Sequence, residues 1–303
     1  MFIILGQLQS YNAICIGTFI LAMVNEAFRP ANSVAIANYS KIENRTRSYS
    51  LNRLAINLGW AFGGALGGIL ASFNYRLLFW VDGITNYVAA ILLYLVLAPS
   101  RNLASVQKKE KMVVGNSAYR DRRYLLFIFL VFVFAVCFFQ LFTTLPVFYK
   151  VQFHLSIFFI GLLMALNGLL ISLVEMIIIF SLEGKRPMMH YISTGVILVA
   201  ISYLLLELPG IEKGLIAVFS ILALTFGEIL SMPFMNSFWI ARTLPYNRGQ
   251  YAALYTVAWA SAQAVGPYTG SLIAQHYGYD ILWIGTGCVC LLLAGCYQLL
   301  RNK

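Results

Sequence analysis

The sequence predicts an all-α, polytopic membrane bundle of about nine transmembrane helices, and three observations predict it. The 303 residues are 60% hydrophobic and only 11% charged, with a mean hydropathy of +0.79, whereas soluble domains carry about a quarter charged residues. Apolar runs of the ~20 residues needed to cross a hydrocarbon core fill most of the chain. The basic residues fall in the connectors between those runs, mostly in every second one.

The first run, 12–39, closes at Lys41, Arg45 and Arg47, and the second, 51–72, opens beside Arg53 and is rich in spaced glycines. A third, 77–97, begins after Arg76. Residues 98–123 are the one long polar stretch, with seven basic residues against Glu110 and Asp121, which suits a cytoplasmic link between two helical halves. Six more runs follow at 124–149, 156–181, 188–207, 214–240, 250–274 and 280–300, each bounded by charged or turn-forming residues. Met1 to Gly6 reads as the remainder of an earlier span and, lacking a basic flank, not as a signal peptide. The expected organisation is a partial N-terminal bundle at 1–97, a linker at 98–123 and a C-terminal six-helix bundle at 124–303.

Sidedness follows from Lys and Arg. Seventeen of the 21 collect on one side, Arg76, Lys150 and Lys213 lie on the other, and Arg29 alone sits within a span. By the positive-inside rule the first side is cytoplasmic, and with it the C-terminus. The same placement argues that the net charge of +10 records topology and not a nucleic-acid-binding stripe. Five cysteines lie inside apolar runs and three histidines are scattered near helix ends, so no metal site is expected. Neither a phosphate-binding Gly-rich loop nor a Gly-x-Ser-x-Gly elbow occurs, which argues against ATP-driven pumping, a cofactor or an enzyme.

Shifting the chain by 203 residues aligns its start with its end. Pro30 meets Pro233, Asn44-Arg45 meets Asn247-Arg248, Gly63 and Gly67 meet Gly266 and Gly270, and Trp80 meets Trp283. Duplicated halves are common in secondary transporters. The aligned parts are spans one to three and seven to nine, so a six-helix second half implies a twelve-helix parent whose first three helices precede this chain.

On these residues the chain resembles the major facilitator superfamily, most nearly its bacterial drug/proton antiporter branch, as helices four to twelve of the family pattern. Phe28-Arg29-Pro30-Ala31-Asn32-Ser33 is like a helix-four stretch of the family. Arg45 to Gly68, with Gly59, Gly63, Gly64, Gly67 and Gly68, is like its Arg-then-glycines segment. Arg248-Gly249 through Gly266-Pro267 to Gly270 repeats that pattern with the Gly-Pro of the antiporter motif, here in the symmetry-related helix. Two departures stand out: Thr18 occupies the place of the expected helix-four arginine, and the second loop signature is reduced to Glu183-Gly184-Lys185-Arg186. The resemblance implies a monomeric secondary transporter in the bacterial inner membrane that moves a small molecule against protons through the lipid bilayer.

Charged groups within a membrane span cost ~2.5–3.5 kcal/mol each on insertion scales, so those present mark function or pairing. Glu26 and Arg29 share a face of the first span. Glu228 lies five residues before Pro233, with Met232, Asn236 and Trp239 on a similar face, and Glu175 lies two turns after Asn167. These four charged residues are the transport and proton-coupling candidates; Asn25, Gln140, Asn167, Met232, Asn236 and Trp239 are the cavity-lining ones. Gly63, Gly67, Gly266, Pro267 and Gly270 are expected to serve helix packing and conformational change, since small residues let backbones approach closely. The expected function is proton-coupled efflux of small amphipathic or drug-like molecules. The alternatives are an uptake symporter for a small polar solute and a truncated fragment that transports nothing.

Overall fold

The computed structural model describes residues 1–40, 45–97, 117–210, 212–244 and 247–301; for a number of positions between 29 and 72, Arg29, Pro30 and Trp60 among them, and for Arg301, it describes the backbone alone. Among these residues every regular element is helical. Seven helical segments are long and apolar enough to cross a membrane. Two further helices have the length, 29 and 30 residues, but are richer in glycine and polar residues. The chain divides into two compact units, Met1–Gly115 and Asn116–Lys303.

The first unit holds α1 (Phe2–Leu5), α2 (Tyr11–Tyr39), α3 (Arg45–Phe73) and α4 (Tyr75–Val96). Side chains that accept the first free N–H groups set two of the starts: Ser10 accepts from Ala13, 3.3 Å, and Asn74 from Arg76, 2.9 Å. The short α1 packs on α4 at Gly6, where an added methyl would lie 2.6 Å from the Phe79 Cβ. Across α2 and α3, the Asn32 amide donates to Asn52, 3.1 Å.

The second unit begins with a 3₁₀ turn (Ala118–Arg120) and continues through α5 (Arg122–Phe138), a 3₁₀ turn (Phe139–Leu141), α6 (Thr144–Val151), α7 (Ile157–Leu182), α8 (Met188–Leu204), α9 (Lys213–Ala241), α10 (Arg248–Tyr277) and α11 (Tyr279–Arg301). Asp121, Ser156 and Glu212 cap α5, α7 and α9, and Gly278, at φ 89°, makes the sharp turn from α10 to α11. Helix α8 is central, packed on both α9 and α11, while α10 lies along α5 and α7 along α9. At the α8–α9 crossing two glycines face each other: a methyl on Gly195 would lie 2.6 Å from the Gly227 carbonyl, and one on Gly227 would lie 2.7 Å from that of Gly195.

Two details differ from the sequence reading. Residues 117–123, read as linker, are packed into the second unit, with Ala118 fully buried. The span expected to run unbroken over 124–149 is divided at 139–143. Proline supplies the reason: Pro146 has no N–H to continue a helix from residue 142, yet fits the first turn of a new one.

The repeat is visible in the helix bounds. Adding 203 to those of α2, α3 and α4 gives 214–242, 248–276 and 278–299, each within two residues of α9, α10 and α11.

Candidate functional site

Helix α7 is apolar nearly all round, yet it buries one stripe, Ile160, Leu163, Asn167, Ile171, Glu175 and Ile179, in steps of three and four that fall on a single face. Leu169, Leu173, Ile177 and Phe180, between them, are 57–75% exposed. Asn167 and Glu175 therefore turn into the unit and not towards lipid. The Asn167 amide donates to the Thr225 hydroxyl on α9, 2.9 Å, and that hydroxyl donates to the Ile221 carbonyl, 2.7 Å. Glu228, one turn further along α9, is 7% exposed and Glu175 is 4% exposed.

One helix separates α7 from α9 in the chain, so the two run in the same direction. At ~1.5 Å rise per residue, Glu228 lies ~4.5 Å and Glu175 ~12 Å nearer the Lys/Arg-rich end than the Asn167–Thr225 pair. The result is a polar ladder staggered in depth. Pro233 leaves the Ile229 carbonyl without its helical donor and loosens α9 one turn from Glu228.

A second polar cluster sits at the α5–α6 break. The Gln140 amide, 2% exposed, donates to the Gly266 carbonyl at 2.8 Å and the Val136 carbonyl at 3.1 Å, while its oxygen accepts from the Thr144 hydroxyl, 2.6 Å. Gly266 precedes Pro267 in α10, and it admits Val136 so closely that a methyl there would lie 3.0 Å from the Val136 carbonyl. At Gly270 a methyl would overlap the Gln140 amide itself.

Met232 and Trp239 are buried, and half-buried Asn236 accepts from the Trp239 indole N–H, 3.2 Å. In the first unit Glu26 is half-buried and Asn25 exposed; the side chain of Arg29 lies outside the described residues. Gly63 has nothing within 4 Å, and Gly67 meets only Leu78, at 3.7 Å. The two copies of the glycine pattern thus have different surroundings.

One group of polar residues escaped the sequence reading. Asp121 caps α5 by accepting from the Tyr124 N–H, 3.0 Å, and its other oxygen accepts from Arg242 Nη2, 2.7 Å, Arg242 Nε, 3.1 Å, and the Tyr251 hydroxyl, 3.0 Å. Tyr124 in turn donates to the Tyr251 carbonyl, 2.6 Å. Burial alone would push the Asp121 carboxyl up. Hydrogen bonds from Arg242, Tyr124 and Tyr251 and the guanidinium charge outweigh that and hold it below its ordinary 3.8. This cluster joins the starts of α5 and α10 to the end of α9. Replacing Asp121 by Asn is expected to lower stability by about 1.5–3 kcal/mol, the worth of a hydrogen bond to a charged group. Because the folded value is lowered, the contribution is present above the ordinary carboxylate value and is lost as pH falls through the folded one. Melting curves of wild type and Asp121→Asn in detergent check this: the gap should persist near neutrality and close only below about pH 4.

Comparison with known proteins bears on the whole chain. The model of the family described as Major Facilitator Superfamily matches residues 1–267. The chain is also similar to an uncharacterized MFS-type transporter, YttB, of Bacillus subtilis (strain 168), with 23% identity over 276 residues, covering 89% of this chain and 68% of the relative.

Proposed function

The chain belongs to the major facilitator superfamily of multi-pass membrane transporters, and from that premise we propose that it is a proton-coupled exporter of small amphipathic molecules. It works as a monomer in a bacterial plasma membrane, with the Lys/Arg-rich ends of its helices and its C-terminus in the cytoplasm. The observation that carries the reading is the buried polar ladder of Asn167, Thr225, Glu228 and Glu175.

Burial disfavours the charged form of a carboxyl, so an acid on this ladder is stable in two ways, with a proton or with a cationic partner. A protonated carboxyl offers no charge to a cation, and one that receives a cation must give up its proton. Competition for Glu228 therefore produces exchange. Glu175, nearer the cytoplasmic end, is placed to carry the proton onward, and Glu26 in the first unit is the third coupling candidate.

Proteoliposomes holding the full chain and loaded with an acidic interior test the reading. Wild type is expected to accumulate ethidium as protons leave; Glu228→Gln should reduce the accumulation by about tenfold or more, the lower side of the roughly 10²–10⁴ that a positioned acid–base group contributes to enzymatic proton transfer. Glu175→Gln and Glu26→Gln should each reduce it. Unchanged ethidium movement in all three variants would remove the site assignment, and accumulation driven only by an acidic exterior would favour the symport alternative.

A further inference from the structure

We propose that the side-chain oxygen of Asn167 is a specificity-determining acceptor, that Thr225 is the residue that turns it to that task, and that the favoured substrates are protonated amines bearing an N–H; this rests on the transport reading above. A threonine hydroxyl has one proton to give and two lone pairs, and a side-chain amide has a donor end and an acceptor end. The Thr225 hydroxyl gives its proton to the Ile221 carbonyl of its own helix, 2.7 Å. Towards α7 it therefore offers only lone pairs, and it accepts from the Asn167 amide nitrogen, 2.9 Å. Turned over, the amide would put its oxygen on Thr225, and the hydroxyl would have to abandon Ile221 to meet it. Two hydrogen bonds would become one. The network thus fixes which way the amide points: nitrogen on α9, oxygen left for another partner.

No donor among the described residues takes that oxygen. Leu163 and Ile171, a turn to either side on the same buried stripe, are apolar. Asn167 is 6% exposed and Thr225 is fully buried, so the pair sits where polar groups are ordinarily bonded and an acceptor left alone is costly. The fold uses the donor end of the amide and leaves the acceptor end to a ligand.

Glu228 supplies the charge. It lies three residues beyond Thr225 on α9, on the same side of the helix and ~4.5 Å away in depth. A protonated amine attracted by the Glu228 carboxylate has an N–H to direct at the Asn167 oxygen. A quaternary ammonium brings the same charge but no proton, and it buries the oxygen without a partner. Sites built to hydrogen-bond an N–H reject the analogue lacking it for this reason.

Calorimetric binding to the full chain in nanodiscs at neutral pH, with no proton gradient, tests the inference. The probes are benzyldimethylamine, which is protonated at that pH, and benzyltrimethylammonium, in which a methyl replaces the proton. Wild type should bind the amine about tenfold or more tightly than the quaternary ion, the worth of one hydrogen bond from a charged donor. Thr225→Val keeps the volume but frees the amide to turn, and Asn167→Ala removes the oxygen. In both, the ratio of affinities should fall to about threefold or less, the hydrogen bond being lost. Thr225→Ser retains the hydroxyl and should retain the wild-type ratio, which a general loosening of α7 against α9 would not explain. A preference owed to size alone would survive Thr225→Val. Equal affinity of wild type for the two cations, or an unchanged ratio in Thr225→Val, overturns the proposal, and the wild-type comparison does so on its own where a variant fails to fold. If the preference holds while vesicles show no proton exchange, the coupling reading fails and this one stands; exchange without the preference means the reverse.

Discussion

A single methyl group added at Gly227 is expected to destabilise the second unit by about 3 kcal/mol, the upper end of what overpacking a close-fitting interior costs. The new Cβ would lie 2.7 Å from the Gly195 carbonyl oxygen, 2.7 Å from Val199 Cγ2 and 3.0 Å from the Val199 N. Two of these three atoms are backbone, so little can give way short of separating α8 from α9. In a bilayer, lipid tails are as apolar as the side chains, so helix association depends on close van der Waals packing. Losing that fit at the crossing removes the packing on both sides of it. Gly195→Ala meets the Gly227 carbonyl, the Ser231 N and the Leu230 carbonyl carbon at 2.6–3.0 Å and should cost as much. Gly161 and Gly168 on α7 supply the control, since a methyl there would meet nothing within 4 Å; alanine at either should be neutral or stabilise by up to about 1 kcal/mol through helix propensity. Thermal melts in detergent decide between these outcomes. A Gly227→Ala protein melting with wild type would mean that α8 and α9 do not cross at this pair.

Much of this architecture could be read from the chain alone, and the reason is physical. Spanning a bilayer forces long apolar runs and leaves Lys and Arg to mark their ends, so the helices and their alternation were legible from composition and spacing. The polar ladder was half legible. Asn167, Glu175 and Glu228 announce themselves as costly within apolar spans, but Thr225, which ties Asn167 to α9, looks like any threonine in a membrane helix. The α5–α6 break was hidden because mean hydropathy is blind to the difference between an α-helix and a 3₁₀ turn; Pro146 was the available signal. Asp121 was hidden by its company, since among seven basic residues of a polar stretch it reads as a linker charge. Only the fold reveals that Arg242, 121 residues away, is its partner. Glycine pairs are the least legible of all. Gly195 and Gly227 carry no pattern in sequence, whereas the patterned Gly63 and Gly67 have open space or a single ordinary contact about them.

Gly270 and Gln140 should behave as one element, so that substituting both costs little more than substituting either. Gln140 holds the Gly266 carbonyl and the Thr144 hydroxyl in an apolar interior, and leaving such groups unpaired costs roughly 1–3 kcal/mol apiece. Gln140→Ala should accordingly destabilise by about 3 kcal/mol. Gly270→Ala arrives at the same loss from the other side. Its methyl occupies the place of the Gln140 amide, and that amide is the mobile end of a long side chain, so it swings away and abandons both partners. Once Gln140 is already alanine, the methyl at Gly270 has nothing to displace. The double variant should then melt close to Gln140→Ala alone, with a coupling of about 3 kcal/mol between positions 130 residues apart in sequence, the upper end for residues in contact. Additive losses would mean that the amide and the glycine do not share the same space. The break between α5 and α6 would then not be pinned to the Gly266-Pro267 turn of α10.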